Sequence, residues 1–180
     1  CKLDNKVLNN TNPGEILNFH HIKNEIENFL CLLTEDGRFK KININKEMIN
    51  TNRIFSIIKQ QKENNIINSF ISRQDELLIV ISSIGRLFKF YLSNSYIATS
   101  SKQSQGSNLI KLLPQEKIIY GCNCKKDDNI FVVSKKGKIF KINSNEITNS
   151  HNYKMGYLNE NLKLKDDAFI KIFINNQYCI

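Results

Sequence analysis

One phrase occurs three times in this chain. Leu32–Ile42 reads LLTEDGRFKKI, Val80–Phe90 reads VISSIGRLFKF and Val132–Ile142 reads VVSKKGKIFKI. The glycines Gly37, Gly85 and Gly137 stand 48 and 52 residues apart. A repeat of about this length, rich in short apolar runs, divides a chain into copies of one small sheet, and such copies stack into radial or solenoid folds. Each copy has two apolar residues, Ser or Thr, two variable positions, Gly, Arg or Lys, an apolar residue, a variable position, Lys and an apolar residue.

The phrase reads as a β-hairpin: an aliphatic run enters, a short turn reverses it, and a second apolar run leaves. Glycine supplies the positive φ that such a turn requires. Two-residue periodicity places Phe88 with Phe90, and Phe140 with Ile142, on one face of the outgoing strands. Lys41, Lys89 and Lys141 then share the opposite face with Phe39, Leu87 and Ile139. With apolar residues on both faces, both faces should be covered, as in a blade between two neighbours. Companion strands are expected upstream of each hairpin at Glu15–Phe19, Asn65–Ile71 and Lys117–Cys122. Phe169–Ile174 and Gln177–Ile180 look like the opening strands of another copy. The expected organisation is all-β, about three and a half four-stranded blades within one repeat domain over 1–180. Its approximate repeats are 1–50, 51–98, 99–150 and a partial 151–180. Both ends read as cuts through a longer protein.

Composition narrows the partner class. Twenty-six Lys and Arg against 17 Asp and Glu give a net charge of +9, which attracts polyanions, nucleic acid first among them. The crowding of Asn, Ile and Lys also fits the codon bias of an AT-rich genome. No stretch approaches the roughly 20 apolar residues of a membrane span. The five cysteines suggest no disulfide framework and fit free thiols in a reducing compartment. Cys122 and Cys124 lack two further ligands at zinc spacing and read as structural thiols on or beside a strand, and His20-His21 reads as a strand end. No phosphate-binding glycine loop, nucleophile–base grouping or metal-ligand spacing is present, so no catalytic residue, cofactor or metal is assigned to this chain.

The repeated phrase, followed by a short polar segment and then Ser100–Cys124 (SSKQSQGSNLIKLLPQEKIIYGCNC), resembles the C-terminal domain of the A subunit of bacterial DNA gyrase and topoisomerase IV. Gln105–Pro114 is similar to that family's connection into the strand before each hairpin, and Asn12-Pro13-Gly14-Glu15 resembles its Pro-Gly-acid turn. The resemblance implies a β-pinwheel, a disc of about six propeller-like blades that exchange strands. It implies a basic rim that binds and bends double-stranded DNA without strong sequence specificity, presenting a segment for strand passage. The implied partners are the rest of the A subunit and the B subunit. The ATP, magnesium and cleaving tyrosine of the parent enzyme belong to other domains, so Tyr91, Tyr96, Tyr120, Tyr153, Tyr157 and Tyr178 read as packing or rim residues. The implied location is a bacterial cytoplasm, beside the nucleoid, or an organelle of bacterial descent. The family's Gln-Arg-Arg-Gly-Gly-Lys-Gly-like box is missing. Ser100–Ser107 and Asn152–Tyr157 hold at most remnants of it, which leaves gyrase-type and topoisomerase IV-type activity both open.

The candidate DNA contacts fall into three sets: Arg38, Arg86 and Lys138 just past the turns, Lys41, Lys89 and Lys141 three residues further on, and Arg53, Lys102, Lys111 and Lys154 between the hairpins. Cations at a fixed offset in successive blades would recur regularly around a disc. The competing reading is that they are solvated edge lysines that discourage sheet-to-sheet pairing. A propeller-type protein-interaction module without DNA binding is the alternative function.

Overall fold

The computed structural model describes residues 17, 18, 20, 22, 28–45, 48, 56–59, 64–150, 157–158, 162 and 167–174. Within them lie three antiparallel sheets, each built on one copy of the phrase. The hairpins are β1 (Phe29–Thr34) with β2 (Arg38–Asn43), β4 (Leu77–Ser82) with β5 (Arg86–Tyr91), and β8 (Asn129–Ser134) with β9 (Ile139–Asn143). The remaining strands are β3 (Ile66–Ser72), β6 (Ser107–Asn108), β7 (Ile118–Cys124), β10 (Tyr157–Leu158) and β11 (Phe169–Ile174).

The recurring Ser or Thr and the glycine make the same turn three times. The loops have three residues in the first two hairpins and four in the third, and in each the glycine N–H donates to the carbonyl of Thr34, Ser82 or Ser134 at 3.0 Å. The hydroxyl of that Ser or Thr then accepts the N–H of Arg38, Arg86 or Lys138 at 3.1–3.2 Å. A backbone donor that the reversal would leave unpaired is thereby satisfied. Gly37, Gly85 and Gly137 all have φ near +80°. At Gly85 a Cβ would also lie 2.9 Å from the Phe169 ring and 3.0 Å from the Leu162 carbonyl, whereas at Gly137 it would meet nothing within 4 Å. Gly85→Ala is therefore expected to cost clearly more than Gly137→Ala. The latter should lose only the roughly 1–2 kcal/mol of left-handed backbone strain, as read by urea unfolding of each variant.

Sheet membership differs from sequence order. The long strand after each hairpin pairs back onto that hairpin: β3 on β1, β7 on β4 and β11 on β8. The strands expected near 65–71 and 117–122 thus exist, but they complete the preceding sheet and do not open the following one. Phe169–Ile174 likewise closes the third sheet and is not the start of another. Two-residue strands from still later segments add to the outgoing edges, giving the orders β3-β1-β2-β6 and β10-β5-β4-β7, while the third sheet is β11-β8-β9. Every sheet thus draws strands from separate stretches of the chain and is completed by a segment that follows its own hairpin. Of the other expected strands, most of Glu15–Phe19 and all of Gln177–Ile180 lie outside the described residues, as does the Asn12–Glu15 turn.

The sheets stack face to face. Phe29, Cys31, Leu33 and Phe39 of the first sheet meet Leu78, Val80, Phe88 and Phe90 of the second in one buried cluster. The opposite face of the second, with Leu77, Ile79, Ile81 and Leu87, meets Ile130, Val132, Ile142, Phe169 and Ile172 of the third. The middle sheet is therefore buried on both faces, as the apolar character of its two strand faces requires. Close approach is permitted at Gly121, where a Cβ would lie 2.3 Å from a Leu33 methyl. Asn68 Nδ2 donates to the Gly121 carbonyl at 2.6 Å, and Asn18 Nδ2 makes the equivalent bond to the Ser69 carbonyl at 2.9 Å. The expectation of two covered faces does not hold for the third sheet. Ile139, the counterpart of the buried Phe39 and Leu87, is 68% exposed.

Candidate nucleic-acid interface

The repeated cations divide by burial. Lys41 is fully buried, and its Nζ donates to the Leu92 carbonyl at 2.5 Å while lying 4.7 Å from the Phe29 ring centroid. Lys89 is also buried, and its Nζ donates to the Ser144 carbonyl at 2.9 Å. Leu92 and Ser144 each lie three residues beyond the equivalent lysine of the next hairpin, Lys89 and Lys141. One bond therefore recurs: the lysine of one sheet clamps the backbone where the next sheet's hairpin ends. Burial lowers the Lys41 pKa from its ordinary value, with Cys31 opposing it. The adjacent Lys40, absent from the candidate set, is buried too, and holds the carbonyls of Lys102 and Ser104 at 2.7 Å each.

Arg86 is the third candidate that faces inward. Its Nε donates to Glu116 Oε1 at 2.8 Å, one Nη donates to Glu116 Oε2 and to the Lys111 carbonyl, and both side chains are buried. Burial alone would raise the Glu116 pKa. Hydrogen bonds from Arg86, the Leu113 N–H and Ser82 outweigh it and hold the carboxyl below its ordinary range. Lys41, Arg86 and Lys89 are therefore corrected as phosphate contacts, because their charged groups are enclosed and already bonded. Glu116, just ahead of β7, is the buried partner.

Of the remaining candidates, Lys102, Lys111, Lys138 and Lys141 are exposed. Arg38 is partly exposed and pairs with Asp36 at 3.0 Å. Arg53 and Lys154 lie outside the described residues. Sequence reasoning passed over Lys135 and Lys136, which are exposed in the third turn. Two variable positions of the phrase are both lysine there, and that was the available signal. Lys117, exposed at the foot of β7, pairs with Glu35 of the first turn at 3.0 Å.

Other groups have local roles. Cys31, Cys122 and Cys124 are buried free thiols, and burial pushes the pKa of Cys31 and Cys124 up to about 12, opposite to what a reactive thiolate needs. Among the described residues, no group of three or more His, Cys, Asp or Glu could hold a metal ion. Nor is any helix among them long and apolar enough to cross a membrane. His20 bonds Ser69 Oγ at 2.8 Å. Tyr91 and Tyr96 are exposed at the end of the second hairpin with ring centroids 5.1 Å apart.

No protein-family model matches this sequence, and no curated protein sequence does. Solved structures do match the fold. The C-terminal domain of DNA topoisomerase IV superposes with a TM-score of 0.69 at 15% identity, over 86% of this chain and 49% of that one. The C-terminal domain of DNA gyrase A gives a TM-score of 0.54 at 16% identity, over 94% of this chain and 74% of that one. The E. coli ParC C-terminal domain gives 0.58 at 13% identity, over 81% and 61%. The chain thus spans about half the length of the topoisomerase IV domain it matches. It is all-β and shares the β-pinwheel fold of these domains.

Proposed function

We propose that this chain is a non-catalytic duplex-binding module of a type IIA topoisomerase A subunit, holding and bending DNA beside a catalytic core carried elsewhere. The observation that carries the reading is the shared strand-exchanged fold, whose relatives are the C-terminal domains of DNA gyrase A and topoisomerase IV. A net charge of +9 and the exposed Lys102, Lys111 and Lys138 supply cations for a phosphate backbone. Such contacts position a duplex without reading its sequence. The partners on this reading are double-stranded DNA and the other parts of the parent enzyme, whose ATP and magnesium sites lie on other domains, in a bacterial cytoplasm or an organelle of bacterial descent.

The test is anisotropy of the chain with a labelled duplex of arbitrary sequence between 50 and 200 mM salt, conditions over which several phosphate contacts change affinity by orders of magnitude. Binding that weakens steeply with salt and is equal for unrelated duplexes is expected. Absence of binding at the lowest salt would contradict the proposal and favour a protein-interaction module.

A further inference from the structure

The three turns are equivalent in backbone but not in charge. The first carries Glu35 and Asp36 against Arg38, with Asp36 bound to Arg38 and Glu35 bound to Lys117. The second carries Ser83 and Ile84, and its Arg86 is enclosed with Glu116. The third carries Lys135, Lys136 and Lys138, all exposed. One carboxylate stands beside it: Asp167, which accepts the Lys136 N–H at 3.1 Å.

At the opposite ends of the strands acids equal or outnumber cations. Arg73 is followed by Asp75 and Glu76, with Glu76 accepting the Arg73 N–H at 3.0 Å. Lys125 and Lys126 are followed by Asp127 and Asp128, with Asp128 accepting the Lys125 N–H at 2.8 Å. The third turn thus sets three exposed lysines against one described carboxylate, an excess of positive charge that neither the other two turns nor these strand ends carry.

We infer that this chain grips duplex DNA in a polarised way, through the phosphate contacts of Lys135, Lys136 and Lys138, and not through an evenly spaced rim. The inference rests on the duplex-binding reading and deepens it by naming the contact. Turn loops stay at the margin of a sheet whatever packs on its faces, as the exposed Asp36, Ser83 and Ile84 show for the two sheets already covered. The first turn, whose two acids are each paired with a cation, has no positive excess to offer a phosphate where an even rim needs attraction.

The experiment compares two triple variants of equal charge change in the same duplex-binding assay: Lys135→Gln/Lys136→Gln/Lys138→Gln, and Arg73→Gln/Lys125→Gln/Lys126→Gln. Each lost phosphate contact lowers the slope of log K against log salt by about 0.9, so the turn variant should lose about 2.7 in slope and on the order of 10²-fold in affinity at 0.1 M salt. The strand-end variant should stay within about threefold, since Asp75, Glu76, Asp127 and Asp128 neighbour its cations in the chain and leave no local excess of positive charge. Equal losses in the two variants would overturn the polarised grip while leaving duplex binding standing. An unmodified chain that binds no duplex at low salt would overturn both. Circular dichroism of each variant checks that the strands are retained.

Discussion

Glu116→Leu is expected to destabilise this chain by about 3–5 kcal/mol, because it leaves the Arg86 guanidinium buried without its counter-charge. The loss should be read as a fall in urea midpoint at unchanged m-value. The pair need not itself be strongly stabilising: bringing both charges out of water costs several kcal/mol, and Arg86 Nη1 is buried with no partner among the described residues. Arg86→Met/Glu116→Leu should therefore recover most of what the single change loses, so that the double variant is more stable than either single one. A strictly additive double loss would mean that the two groups act independently. The pH dependence has a definite sign. A carboxyl held below its ordinary value of 4.5 contributes stability that is fully present above that pH and disappears as pH falls through the folded-state value. The gap between the unmodified chain and Glu116→Leu should accordingly narrow on acidification below about pH 4.5.

Lys41→Met and Lys89→Met should each cost about 1.5–3 kcal/mol, the range for a lost hydrogen bond to a charged donor, with an enclosed carbonyl left bare at Leu92 or Ser144. Lys141→Met occupies the same place in the phrase but is exposed, so it should fall within about 0.5 kcal/mol of the unmodified chain. This internal control separates position in the repeat from position in the fold. Equal costs at all three sites would show that the clamp geometry is not what stabilises the sheets. Because each clamp joins consecutive sheets, its loss should also make unfolding less cooperative, as expected where stability is a sum of units and their interfaces.

The hairpins were legible from sequence because everything that makes them is local: the entering aliphatic run, the Ser or Thr that caps the turn, and the glycine at positive φ all fall within eleven residues. Phe169–Ile174 was legible for the same reason, down to its bounds. Its partner was not. Pairing of β11 with β8, or of β6 with β2 some 70 residues away, depends on which edges are left open once the hairpins form, and no residue of the strand itself encodes that. The lysines show a different failure. Lys41 shares a face with Phe39, and Lys89 with Leu87, and a face that must be covered for the phenylalanine or leucine is also covered for the lysine. That constraint was present in the two-residue periodicity. What the sequence does not reveal is the acceptor, a backbone carbonyl about 50 residues further on, since carbonyls have no signature of their own. The Arg86–Glu116 pair is hidden likewise, because 30 residues separate partners that only the fold brings together. Charge at the turns, by contrast, could have been compared directly from the two variable positions.

The most direct test of this account is the salt dependence of duplex binding by Lys41→Met/Lys89→Met beside the unmodified chain, measured where both are folded. If enclosed cations hold the sheets and exposed ones hold DNA, the unmodified chain binds with a steep slope and the double variant keeps that slope while melting earlier. A slope smaller by about 1.8, the value for two lost phosphate contacts, would contradict it and return the repeated lysines to the DNA surface.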